Sequence, residues 1–218
     1  MARKPTREAA RIAAIFDRFA AATAEPRTEL SYASPFTLLV AVVLSAQATD
    51  VSVNKATARL FEVAATPAAM VALGEEALIP FIARIGLFRT KARNVVSLSR
   101  KLIEAHGGEV PLERAALQAL PGVGRKTASV VLNELGAEAA IAVDTHVFRV
   151  AHRLGLSKGK APDQVEADLM RVIPPERRTR AHHWLILHGR YVCTARAPRC
   201  AACLVADLCP SREMFLGV

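Results

Sequence analysis

The chain has 218 residues, 52% of them apolar and only 5% aromatic, and carries a formal charge of +9. Alanine is abundant and β-branched or aromatic runs are scarce, which argues for helices and against a β-rich fold of one large or two small domains. Such a basic balance points first to nucleic acid and second to an anionic surface, while the most hydrophobic run, Phe36 to Ala46, is too short for a membrane span.

The start, Met1-Ala2-Arg3-Lys4-Pro5-Thr6-Arg7-Glu8, leads into an amphipathic stretch and not an apolar leader, so a cytoplasmic, nucleoid-associated protein is expected. Residues 6–24 predict one helix, with Ile12, Ile15, Phe16 and Phe19 on its apolar face and Arg11, Asp17 and Arg18 opposite. Glu25-Pro26-Arg27-Thr28 breaks it. After a turn at Ser31 to Pro35, Phe36–Leu44 is apolar nearly all round and predicts a centrally buried helix. It ends in Ser45-Ala46-Gln47-Ala48-Thr49-Asp50, small polar residues that leave room for an approaching molecule. Asp50 is expected to cap a helix through Val53, Ala56, Leu60 and Phe61, and Thr66-Pro67 to start another. Glu75–Ile85 predicts a helix kinked or restarted at Pro80 and stopped by Gly86. Leu87 follows in a turn, either as an exposed apolar tip or as a core residue, and a helix then runs to His106.

Residues 111–120 and 124–135 predict two helices joined by Pro121-Gly122-Val123-Gly124, the second closed by Gly136. Pro121 stops the first helix, and Gly122 and Gly124 permit φ > 0 and a close backbone approach. The second helix begins with unpaired amides at the positive end of its dipole, an anion site suited to a nucleic-acid phosphate. Gly122, Val123, Gly124, Arg125 and Thr127 are the expected DNA contacts of this turn. Lys126 lies in the same first turn, and two readings are open for it. It is a surface lysine on a phosphate, or an amine nucleophile whose charged form is disfavoured by the helix end, Arg125 and partial burial.

Further on, Asp144 has the position of an N-cap for a helix running to Leu154, and another helix spans Pro162 to Ile173. From Arg171 to Arg199 seven arginines accompany a single acid, Glu176, which predicts a phosphate-facing surface. His182, His183 and His188, around Trp184, are read as structural or phosphate-contacting. Cys193, Cys200, Cys203 and Cys209 crowd into seventeen residues and argue for a metal site over disulfides. Zinc and a [4Fe–4S] cluster both accept four thiolates, and spacing leaves the metal open.

Five segments in order now carry a resemblance: Leu44-Ser45-Ala46-Gln47-Ala48-Thr49-Asp50, Ile85-Gly86-Leu87, Leu120 through Ala128, Val143-Asp144-Thr145-His146 and the cysteine spacing. Together they are similar to the endonuclease III family, bifunctional DNA glycosylases and AP lyases of the helix-hairpin-helix superfamily. The resemblance implies an all-α fold of two helical domains with a cleft between them and a C-terminal iron–sulfur cluster loop. Residues 28–138 would form a six-helix bundle carrying the hairpin at about 112–135; residues 1–27 with 139–218 would form the cluster-containing domain, its loop at 193–209.

The resemblance also implies that the four cysteines hold a [4Fe–4S] cluster, that Lys126 is the nucleophile and that Asp144 is its carboxylate partner. Gln47 and Leu87 would fill the gap left by a flipped nucleotide, and Arg196 and Arg199 would contact phosphates, with Ala197 replacing a basic residue common in that loop. The expected partner is double-stranded DNA with oxidised pyrimidines or abasic sites, bound by a monomer that is not at a membrane. An adenine-specific mismatch glycosylase is the nearest alternative, opposed by the presence of Lys126 and by the nine residues after Cys209. A non-catalytic DNA-binding hairpin protein and a zinc-binding structural protein are the others.

Overall fold

Every regular element in the computed structural model is helical among the residues it describes, 6–216; residues 1–5, on which part of the leader reading falls, lie outside them. In chain order, α1 is Arg7–Ala22, α2 Pro35–Ser45, α3 Asp50–Val63, α4 Pro67–Ile82, α5 Phe88–His106, α6 Arg114–Gln118 and α7 Arg125–Glu134. They are followed by α8 Thr145–Arg153, α9 Pro162–Val172, α10 Arg178–Tyr191 and α11 Glu213–Leu216. No single helix is long and apolar enough to cross a membrane. The chain divides into two compact units, Thr28–Glu138 and the combined Met1–Arg27 with Ala139–Val218.

The middle unit contains α2 to α7 around α2, whose residues Phe36 to Leu44 are all buried. Ser34 and Thr37 close a reciprocal capping box at its start, with Pro35 at the first helical position. Leu38, Leu39, Leu60, Leu78, Ile82, Leu98 and Leu102 join α2 in one apolar core. Three local expectations change here. Thr49, not Asp50, caps α3, its hydroxyl accepting from the Ser52 amide, and Asp50 becomes the first helical residue. The break in α4 falls at Gly74 (φ 75°, ψ 170°), a conformation essentially restricted to glycine, while Pro80 sits within the helix. The helix before the hairpin is five residues, not ten, because Glu113 already adopts extended backbone and α6 starts only after it.

The second unit packs α1 against α8, α9 and α10. Thr6 caps α1 by accepting from the Ala9 amide, and Ile12, Ile15, Phe16 and Phe19 form its buried face. Trp184 lies against Phe16 and donates its indole N–H to the Thr23 carbonyl at 2.8 Å, satisfying a polar group in an apolar core. Exposed ion pairs, Arg177 with Asp17 and Arg180 with Glu25, tie α1 to the region around α10.

Phe16 is fully buried among these residues. Replacing it with alanine is expected to destabilise this unit by about 3–5 kcal/mol, whereas Asp17→Ala, which removes one exposed ion-pair partner, costs about 0–1 kcal/mol. Urea denaturation of the two variants measures the contrast, and equal losses would contradict this division between core and surface.

Candidate functional site

Leu120 and Val123 are both buried, and the six residues between α6 and α7, 119–124, must reverse the chain around them. Gly122 makes the reversal with φ 78°. A Cβ there would lie 2.9 Å from Nδ2 of Asn94, so the turn needs glycine for its conformation and for space. Gly124 differs from expectation: it is extended (φ −87°, ψ 178°) and serves as the N-cap of α7. A Cβ on it would meet nothing, which leaves its outer side open to an approaching molecule.

Because glycine has no side chain to cap the helix, the amides of Lys126 and Thr127 have no acceptor among the described residues. Those amides and the positive end of α7 constitute an anion site. Lys126 is exposed in the first turn, not partly buried as expected, and makes no hydrogen bond or ion pair among the described residues.

Gln47 and Leu87 stand out by backbone conformation. They are the two non-glycine residues with positive φ among the described residues, at 55° and 60°. Both are exposed, Leu87 at 62%, which resolves its alternatives in favour of the apolar tip. Their loops are neighbours, since a Cβ on Gly86 would come within 3.8 Å of the Gln47 carbonyl. Side chains held out of the core in a disfavoured conformation are characteristic of ligand-engaging loops.

In the other unit Asp144 is half-buried and is the N-cap of α8. Its Oδ1 accepts from the amides of His146 and Val147, each at 2.8 Å. Neither bond uses Oδ2, so one carboxylate oxygen fixes the side chain and the other is available for a partner.

The four cysteines are unpaired and line a single cavity with Arg153, Leu154, His188 and Phe215. Burial pushes the Cys203 and Cys209 thiols upward, so their conversion to thiolates requires a cation. Four thiols around a shared cavity are a donor set that would hold either a zinc ion or an iron–sulfur cluster.

The residues that fasten this loop carry no local motif and were missed by sequence reasoning. Arg149 Nε donates to the Cys193 carbonyl and Nη2 to that of Gly189. Arg153 donates to the carbonyls of Thr194 and Ala195 and reaches the Cys193 sulfur at 3.5 Å. From α1, Arg11 donates to the carbonyls of Leu154 and Leu208, and Arg18 binds Asp207 and the Leu204 carbonyl. His182, His183 and His188 are all buried, which settles their reading as structural. Burial pushes the His188 ring down to about 4, and this neutral ring lies 3.7 Å from the Cys203 sulfur.

The arginine-rich stretch is a phosphate surface only in part. Arg171 pairs with Asp168, Arg177 with Asp17 and Arg180 with Glu25, and Arg178 donates to the Ile173 carbonyl. Asp17 of α1 and Glu25 just beyond it, far away in sequence, neutralise part of what looks like an unmixed basic run. Arg196 and Arg199, within the cysteine loop, are exposed and have no side-chain partner among the described residues.

A family model described as HhH-GPD superfamily base excision DNA repair protein matches residues 40–175, and one described as the iron-sulfur binding domain of endonuclease III matches residues 193–209. The chain is 58% identical over 188 residues to endonuclease III of Escherichia coli strain K12, covering 86% of this chain and 89% of that protein. It is 57% identical over 196 residues to endonuclease III of Treponema pallidum, covering 90% and 93%. The fold superposes on a trapped endonuclease III–DNA covalent intermediate with a TM-score of 0.88 at 44% identity, covering 95% of this chain and 98% of that one. With the donor set above, these likenesses establish the cofactor of the four cysteines as a [4Fe–4S] cluster and remove the zinc alternative.

Arg153 bonds three consecutive residues at the start of the loop, Cys193, Thr194 and Ala195. Arg153→Met is expected to speed loss of the brown iron–sulfur absorbance to a chelator about 10-fold with the helical content retained. An unchanged rate would show that these bonds do not hold the loop.

Proposed function

The chain belongs to the endonuclease III family of base-excision-repair DNA glycosylases and AP lyases, and we propose that Lys126 is its nucleophile and Asp144 the carboxylate that assists it. The observation that supports this most is the first turn of α7, where an exposed, unpartnered lysine stands beside amides with no acceptor. A phosphate held by those amides would fix the DNA backbone, and with it the sugar, within reach of the amine.

The damaged pyrimidine leaves the stack before reaction, because C1′ is inaccessible within the duplex. The unprotonated Nζ of Lys126 then attacks C1′ as the bond from C1′ to the base nitrogen breaks and the base departs with the electron pair and takes up a proton. Positive charge develops on the sugar, and the Asp144 carboxylate stabilises it while its other oxygen remains bonded to the α8 amides. Transfer of the amine proton to the ring oxygen O4′ breaks the C1′–O4′ bond, opens the sugar and gives a Schiff base to Lys126. Removal of a C2′ proton expels the 3′ phosphate, so the strand is cut 3′ to the lesion, and water releases the lysine.

Gln47 and Leu87 occupy the space vacated by the flipped nucleotide and offset its lost stacking. The amides around Gly122, Val123 and Gly124, with Arg125 and Thr127, hold the backbone near the lesion, and Arg196 and Arg199 hold phosphates elsewhere. The cluster gives the 193–209 loop a fixed shape, so that those two arginines are presented to DNA. The substrates are oxidised or ring-saturated pyrimidines and abasic sites in the nucleoid DNA of the cytoplasm.

Borohydride is expected to trap a covalent complex between the protein and abasic DNA, and Lys126→Gln to abolish the trap while retaining DNA binding. A persistent trap in that variant would remove Lys126 from the chemistry. Asp144→Asn is expected to slow base release by about 10²–10⁴-fold; if it lowers only the melting temperature, Asp144 is a helix cap and nothing more. DNA affinity is expected to fall with a linear slope in log[salt], and a salt-independent affinity would contradict the phosphate contacts.

A further inference from the structure

We infer that Lys91, a buried residue that touches no DNA, positions both gap-filling loops by fixing the backbone on which Gln47 and Leu87 stand. The inference rests on the reading of those two residues given above. Lys91 is 5% exposed, and it is the one Lys, Arg, Asp or Glu buried among the described residues. Its ammonium donates to the carbonyl of Leu44 at 2.9 Å and to that of Ala46 at 2.5 Å. Both carbonyls belong to the C-terminal end of α2, where helix carbonyls lack helical partners and the dipole is negative.

The Ala46 carbonyl is the consequential one. It shares a peptide plane with the amide of Gln47, so holding that oxygen sets the torsions on either side, including the positive φ of Gln47. An unconstrained glutamine would leave the left-handed region, which is disfavoured for any residue with a Cβ. The same residue acts on the second loop through its backbone. The Lys91 amide donates to the carbonyl of Leu87 at 3.0 Å and closes the first turn of α5 over that left-handed residue. One residue therefore bonds the carbonyl preceding one wedge and the carbonyl of the other.

The register of α5 extends the arrangement to the hairpin. Leu87, Lys91 and Asn94 recur at the four- and three-residue spacing of one helix face. Asn94 packs where a Cβ on Gly122 would lie, at 2.9 Å, so the first two turns of α5 abut the Gln47 loop, the Leu87 tip and the turn before Lys126. A carboxylate partner would be expected if Lys91 served only to neutralise a buried charge. Its partners are instead two main-chain carbonyls at the base of a DNA-facing loop. Burial pushes the Lys91 ammonium below the usual lysine range, in keeping with a desolvated site built for donation to carbonyls.

The test compares single-turnover excision, with enzyme saturating over limiting DNA, of a ring-saturated pyrimidine paired with adenine and of the same base opposite a tetrahydrofuran abasic analogue. No partner base must be released in the second substrate. The ratio of the two rates reports gap filling and is insensitive to loss of folded protein, which lowers both rates alike. Lys91→Met, which cannot donate, is expected to lower the ratio about 10-fold, and the Lys91→Met, Gln47→Ala double variant to lower it no further than Gln47→Ala alone. A double variant whose effects add, or an unchanged ratio in Lys91→Met beside a lowered one in Gln47→Ala, overturns the positioning role and leaves the gap-filling role of Gln47 standing. An unchanged ratio in Gln47→Ala removes the gap-filling reading and this inference with it. If Lys91→Met does not fold, Lys91→Gln, which retains a neutral donor, is expected to lower the ratio less steeply, and an unchanged ratio there overturns the inference equally.

Discussion

The burial of Val123 constrains everything else at the hairpin. With Leu120 and Val123 both in the core, the chain must turn sharply between them, and the bulk of Asn94 leaves room only for a glycine at 122. Once the turn is made, Gly124, Arg125 and Lys126 are carried outward, and α7 begins without a side-chain cap. Burying one valine thus creates both the anion site and the exposed amine. Neither needs a dedicated device, because a helix end that the fold leaves unsatisfied already presents free amides suited to an anion.

A similar division of labour governs the arginines. Arg11, Arg18, Arg149 and Arg153, on α1 and α8, bond main-chain carbonyls of the cysteine loop, while Arg177 and Arg180 pair with Asp17 of α1 and with Glu25 just beyond it, so both sets are structural. The two arginines inside the loop have no such partners among the described residues and stay open to solvent. A loop of this kind buries little apolar surface of its own. Its shape depends on carbonyls tied to guanidinium groups and on the four cysteines that would hold the cluster.

Much of this was legible in the sequence wherever the signal is local. The ends of α1, α2, α8 and α9 follow from caps, prolines and apolar periodicity, and the spacing of the four cysteines pointed to a metal site while leaving the metal open. Competing local signals were harder. Thr49 and Asp50 are both good caps and only one can act, and Gly74 reads as an ordinary helical residue until its φ of 75° is seen, whereas Pro80 draws attention and causes no break. Long-range chemistry was not legible at all. The acid that pairs with Arg177 lies 160 residues away, and nothing around Lys91 indicates that it reaches the end of α2. Partial burial of Lys126 was expected as one of the effects that, with the helix end and Arg125, disfavour its charged form. The turn instead directs the apolar residue inward and the lysine outward, as alternation around a tight reversal requires.

The most direct test of the central claim is to locate the covalent bond. Protein reduced with borohydride on abasic DNA can be digested and the sugar-modified peptide sequenced by tandem mass spectrometry. The account requires the modification on Nζ of Lys126. An adduct on Lys91, on another lysine or on the terminal amine would contradict it and leave the hairpin as a phosphate grip without chemistry.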